Sequence, residues 1–187
     1  MAYKMKIPQS WVKTSPNTAK IPYLLNLDSA VGENCANRAD DVMLVQWILM
    51  TTLADPKETP QYVKGPDAVH DFFDFVGDAF AKDANLTIQM AAEYRRLAKT
   101  FFDNQAPVPN GKCDSVTVTW IRMFQMRHLR QFVSAIDGRV DPINPSAGPH
   151  AKSTMIRLNV ALPVWRADIA KSDAPAAVKD ALRDFRQ

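Results

Sequence analysis

Apolar residues recur at three- and four-residue steps through most of this chain, and that period predicts helices. Val42, Val45, Ile48 and Leu49 mark a helix over residues 39–53, closed by Pro56 and Pro60. Asp40 and Asp41 fall in its first turn, where carboxylates favour the positive end of the helix dipole. Val69, Phe72, Phe73, Val76 and Phe80 form a second stripe, and Ile88, Ala91, Tyr94, Leu97, Phe101 and Phe102 a third. These two predict a helical hairpin, its second helix capped by Asn85 or Asp83. The longest predicted helix begins at Ser115 or Thr117 and runs to about Val133, with Trp120, Ile121, Phe124, His128 and Phe132 along one side. Ser153 caps a short helix that ends before Pro163. Ser172 or Asp173, with Pro175 in the first turn, opens a last helix carrying Val178, Leu182 and Phe185. Residues 1–29 hold Pro8, Pro16 and Pro22 between apolar and polar positions, which predicts an extended arm over the core with a short strand. Six glycines and few β-branched runs argue against an extensive sheet, so the expected class is mainly α.

A short pattern occurs twice in the second half. Asn110-Gly111-Lys112-Cys113-Asp114 precedes Thr117, Trp120, Ile121, Phe124 and Gln125. Asp137-Gly138-Arg139-Val140-Asp141 precedes, after a longer loop, Thr154, Met155, Leu158 and Asn159. Each copy reads as a tight turn, a threonine, then a helix. Gly accepts positive φ without steric cost, and Asn or Asp bonds its own backbone. A partial third copy runs from Val31-Gly32 through Asp41 to Val45 and Gln46, and Gln46 sits in its helix much as Gln125 sits in "TWIRMFQ". Repeated turn-into-helix units of this kind bury their apolar sides against one another.

Taken in order, these segments resemble the peptidoglycan-binding-like domain, a small three-helix module. That family runs through a Val/Leu-Gln helix, an Asp-Gly turn, a threonine, a Phe-Gln helix, a second Asp-Gly turn and a final Thr-x-x-x-Leu helix. The match covers residues 30–53 and 108–162. The resemblance implies a three-helix core over 30–162, with the helical hairpin of about 54–108 inserted, a 1–29 arm and a 163–187 helical tail. It also implies a glycan or stem-peptide ligand at the loops that open the second and third helices. Those positions hold Lys112, Asp114, Trp120, Arg122, Asp137, Arg139, Asp141 and Asn144. Arg139 suits a two-pronged bond to a carboxylate, and Trp120, if exposed, suits stacking on a sugar face; the competing expectation is a buried Trp120 and a solvated Arg139. The chain departs from the family in its long insertion, in the stretched second turn through Pro142, Asn144, Pro145, Gly148 and Pro149, and in Asp114 and Asp141 where the family has Gly.

Composition narrows the partners. Hydrophobic residues make up 47% and charged residues 23%, ordinary for a globular chain. The net charge of +3 is scattered, without the basic cluster or aromatic motif of a nucleic-acid binder. No segment approaches the length of a membrane span, and the start shows no secretory signal. The expected location is therefore cytoplasmic as synthesised, with any wall ligand reached by lysis or a non-Sec route. That suits a second reading, in which the insertion and the 142–150 loop form a protein-binding surface of an adaptor or an accessory component of a contractile secretion system.

A third reading is a cysteine-dependent cell-wall amidase. Cys35 precedes a helix N-terminus, and His150 is its least implausible base, since His128 falls on an apolar helix face. The segment "GENCANRADD" lacks the nucleophile pattern of those amidases. Cys35 and Cys113 are compatible with one bridge or, in a reducing compartment, with two free thiols. No Cys-x-x-Cys or His-x-x-x-His spacing prepares a metal site. Asp137, Asp141 and Asn144 could offer calcium oxygens in one loop, but turn formation explains them better. Neither a metal nor a cofactor is expected, and binding is expected over catalysis.

Overall fold

The computed structural model describes residues 2–14, 23–54, 108–128, 135–162, 174–181, 183 and 185–186. The hairpin expected within 54–108, with Phe72, Phe73, Phe75 and Phe80 on which the adaptor reading turns, falls almost wholly outside them. The described part is mostly helical, with two small sheets.

In chain order the elements are β1 (Tyr3–Met5), α1 (Gln9–Thr14), β2 (Leu24–Asn26), β3 (Val31–Gly32), α2 (Ala39–Ala54), α3 (Ser115–His128), β4 (Arg139–Val140), a 3-10 turn at Pro145–Ala147, α4 (Thr154–Ala161), α5 (Ala176–Ala181) and β5 (Phe185–Arg186). Helix α2 is the centre. Val42, Leu44, Val45, Trp47, Ile48 and Leu49 are all completely buried, so this helix is covered all round rather than along one stripe. Helices α3, α4 and α5 each pack on it, adding Ile121 and Phe124, Met155 and Leu158, and Val178 to one core.

The N-terminal arm carries the expected short strand and a short helix besides. Its β1 is the middle strand of a three-stranded sheet ordered β2-β1-β5. β1 runs antiparallel to β2, with Lys4 opposite Leu25, and parallel to β5, with Lys4 opposite Phe185. α1 buries Trp11, whose Nε1–H donates to the Pro145 carbonyl at 2.9 Å. Phe185 was expected on the last helix and is instead in a strand. The Arg183 N–H bonds to Asp180 O at 3.1 Å, which turns the chain out of α5. The open edge of β1, with backbone groups that need partners, then accepts the last residues.

Buried polar side chains fasten these pieces. Asn159 of α4 accepts from Leu25 N–H at 2.7 Å and donates to Leu25 O at 2.9 Å, as a neighbouring strand would. Asn26 accepts from Ile143 N–H at 2.7 Å and donates to Ile143 O at 3.2 Å. Asp41 does more than face the dipole of α2. Its carboxylate, fully buried, accepts from the N–H groups of Asp28 and Ser29, both at 3.1 Å, and from Ser29 Oγ at 2.9 Å. Asp41→Ala strips all three bonds and is expected to cost about 2–3 kcal/mol. Urea denaturation should show a lower midpoint with an unchanged slope. A midpoint equal to that of the wild type would mean that water replaces the carboxylate at no cost.

Candidate functional site

Two buried glutamines organise the turns that the sequence repeats. Gln46 of α2 donates from Nε2 to Lys112 O and to Thr117 Oγ1, both at 2.9 Å, and to Asn110 Oδ1 at 3.3 Å. Its Oε1 accepts from the N–H groups of Asn110 and Gly111 at 3.0 and 3.1 Å. Gln125 of α3 repeats the arrangement one unit later. Its Nε2 donates to Arg139 O at 2.7 Å, Asp137 Oδ1 at 2.8 Å and Thr154 Oγ1 at 3.1 Å, and its Oε1 accepts from Gly138 N–H at 2.9 Å. Each glutamine thus grips the next turn together with the threonine that starts the next helix. Gly111 and Gly138 have φ of 73° and 72°, which only glycine adopts at no cost. Asn110 Oδ1 and Asp137 Oδ1 each accept the N–H two residues on, at 2.8 and 3.0 Å. The two turns are one design used twice.

The second turn opens onto a cleft of about 230 Å³. Asp137, Arg139, Asp141 and Asn144 line it, as expected, together with Lys152, Ser153 and Thr154 from the start of α4. Among the described residues its wall includes no aromatic ring. Arg139 Nη2 donates to Asp141 Oδ1 at 3.1 Å, and both side chains are well exposed, so solvent screens the pair and it adds little to stability. Lys152 supplies a second cation that the sequence reading missed. Only its place beside the Ser153 cap, whose Oγ accepts from Ile156 N–H, could have pointed to it.

The other four expected ligand residues are not part of this cleft. Lys112 is exposed on the first turn. Asp114 is the cap of α3, its Oδ1 accepting from Thr117 N–H at 2.8 Å and Thr117 Oγ1 at 2.9 Å. Trp120 is only 6% exposed, so it packs in the core and presents no face to a sugar. Arg122 pairs through Nη2 with Glu33. Asn144, though at the cleft, also caps the 3-10 turn by accepting from Ser146 N–H at 3.0 Å.

Cys35 lacks the lowered thiol pKa of an activated nucleophile. Burial raises its thiol above the ordinary value of 9.0; Arg139 opposes that, and Asp141 and Asp137 add to it. His150, its expected base, is exposed and is not among the groups that act on it. Burial likewise raises Cys113. The folded state therefore holds both protons more tightly than the unfolded chain does. This contribution to stability is complete below pH 9.0 and is lost as pH rises through the folded values. Alkylation of the native protein by iodoacetamide should be slow at neutral pH, rise steadily with pH and level off only above pH 9.0. A rate inflection on the acid side of neutrality would restore the catalytic reading. Among the described residues, no three His, Cys, Asp or Glu side chains converge to hold a metal ion.

Comparison with protein-family models, with curated proteins and with solved structures gives no match to this chain. The chemistry of the site is therefore read from its own residues.

Proposed function

We propose that this chain is a non-enzymatic binding module with a peptidoglycan-binding-like core, and that it holds bacterial peptidoglycan by the stem peptide. The order of parts supports the core: α2, a glutamine-held turn, the Thr117 helix, a second glutamine-held turn and the Thr154 helix. The observation that carries the ligand class is the cleft at the second turn, with Arg139 weakly engaged on its rim and Lys152 beside it. Two cations set beside Asp137 and Asp141 suit a peptide that carries a carboxylate, which the guanidinium binds through two parallel bonds. Among the described residues the wall holds no ring, which favours a peptide over a sugar, because glycan recognition draws on aromatic faces. At about 230 Å³ the cleft accommodates a residue or two of peptide rather than a long glycan strand.

Sedimentation with purified insoluble peptidoglycan tests this. The native protein should pellet with the wall, and Arg139→Ala should weaken retention about tenfold through loss of a charge-assisted bond. Soluble stem peptide should compete, and amidation of its free carboxylates should abolish the competition. Retention no better than that of denatured protein rejects the proposal.

A further inference from the structure

Asn110 is the only asparagine in the chain that is followed by glycine. In such a pair the side-chain carbonyl is open to attack by the next backbone nitrogen, because glycine has no Cβ to stand in the way. Here Asn110 is exposed, whereas Gly111 is buried and its N–H donates to Gln46 Oε1 at 3.1 Å. A nitrogen whose proton is held inside the protein does not lose it to solvent until the turn opens. Asn110 Oδ1 is pinned as well, by Gln46 Nε2 at 3.3 Å and the Lys112 N–H at 2.8 Å. Among the described residues, the turn uses the Asn110 side chain through that oxygen alone. The second turn has Asp137 at the same place. Its Oδ1 accepts from Gln125 Nε2 at 2.8 Å and from the Arg139 N–H at 3.0 Å. A carboxylate therefore does the work of a carboxamide at this position.

We propose that Asn110-Gly111 is a site of spontaneous deamidation, gated by the Gln46 clamp, whose two products have opposite effects on the turn. When the clamp opens, the Gly111 nitrogen gives its proton to solvent base and attacks Asn110 Cγ. The Cγ–Nδ2 bond breaks, and Nδ2 takes up a proton and leaves as ammonia. A cyclic imide remains. Water then adds to one of the two imide carbonyls, the bond from that carbonyl to nitrogen breaks, and the nitrogen regains a proton. Cleavage at Cγ restores the main chain and leaves aspartate at position 110, as in the second turn. Cleavage at the main-chain carbonyl leaves isoaspartate, with the chain now running through Cβ and Cγ. In either case a water is consumed, an ammonia is released and nothing is oxidised or reduced. The aspartate form keeps the oxygen that the turn uses. The isoaspartate form lengthens the backbone where there is no room, since a Cβ on Gly111 would already lie 3.0 Å from Ala39 O and 3.2 Å from Ala39 Cβ. Opening of the first turn is thereby recorded as a covalent change.

The test incubates the full chain in mildly alkaline buffer, native and in concentrated urea. Peptide mapping follows the amide-to-acid mass gain, and isoaspartyl methyltransferase counts isoaspartate. In urea Asn110 should convert, and in the native protein it should do so more than about tenfold more slowly. Gln46→Leu and Gln125→Leu, expected to lose similar stability, separate local from global opening. With both checked to be folded at the working temperature, only Gln46→Leu should convert near the urea rate. If Gln46→Leu does not fold, wild type in urea below its unfolding transition takes its place. There, hydrogen exchange at the Gly111 amide and conversion at Asn110 should rise together. Asn110→Asp should melt with wild type, and the isoaspartate form, isolated by ion exchange and refolded, should melt lower. The proposal is overturned by native conversion as fast as in urea, by equal rates in the two glutamine variants, by conversion without amide exchange, or by Asn110→Asp melting as low as the isoaspartate form.

Discussion

Gly32→Ala should strip the protein of a large share of its folding stability. A Cβ at this position would lie 2.0 Å from Gly138 O and 2.9 Å from both Gly138 C and Arg139 Cα. All three are backbone atoms of the second turn and the strand it opens, so no side chain can swing aside. The φ of 131° adds strain for any residue but glycine. Relief requires parting β3 from β4, and that would uncover Val31 and Val140, which are paired across the ladder and completely buried. The cost should exceed about 4 kcal/mol, a large share of the roughly 5–15 kcal/mol that holds a domain together. Gly148→Ala is the control. Gly148 also has positive φ, at 84°, but nothing lies within 4 Å of its Cβ position. That variant should lose only about 1 kcal/mol. Thermal melts of the two variants separate the causes: equal losses would assign the effect to φ and remove the claim of strand-to-strand contact.

What could be read in advance follows the range of the interaction. The repeated Asx-Gly turns, the Ser153 cap and the acidic first turn of α2 are local, set by residues within a few positions of one another. The likeness of Gln46 and Gln125 was also legible, because each copy carried its own context. Periodicity failed where burial came from every side. A stripe of Val42, Val45, Ile48 and Leu49 says nothing of Leu44 and Trp47, which are buried because other elements cover the far face of α2. The strand pairing of Phe185 with Lys4 and the Asn159–Leu25 bonds join distant parts of the chain and leave no local trace. Within the candidate site, position beside a turn makes Asp114, Arg122, Asp137 and Arg139 equally expected as ligands. Asp114 turned out to cap a helix, and Arg122 to pair with Glu33, whereas Arg139 and Asp137 do face the cleft. A polar residue at a turn serves its own backbone first, and sequence alone does not say which has capacity left.

Gln46→Leu and Gln125→Leu should each cost about 3–4 kcal/mol, because each leaves several turn and helix-start groups without the partner that satisfied them. Gln46 holds two N–H groups, a carbonyl and two side-chain oxygens; Gln125 holds one N–H, one carbonyl and two side-chain oxygens. Leucine keeps most of the volume, so the loss measures hydrogen bonding rather than a cavity. Chemical denaturation reads the magnitude, and a loss under about 1 kcal/mol in either variant would show that its turn stands without the clamp. The pair also separates stability from binding. The Gln46 clamp fixes the first turn, which lies outside the cleft, whereas Gln125 itself lines the cleft and holds Asp137 and the Arg139 carbonyl. Folded protein of the two variants, compared at low temperature, should therefore differ on peptidoglycan. Gln46→Leu should sediment with the wall nearly as wild type does, and Gln125→Leu should lose most of its retention. If both lose it alike, binding depends on the core as a whole; if neither does, the ligand lies elsewhere than the second turn.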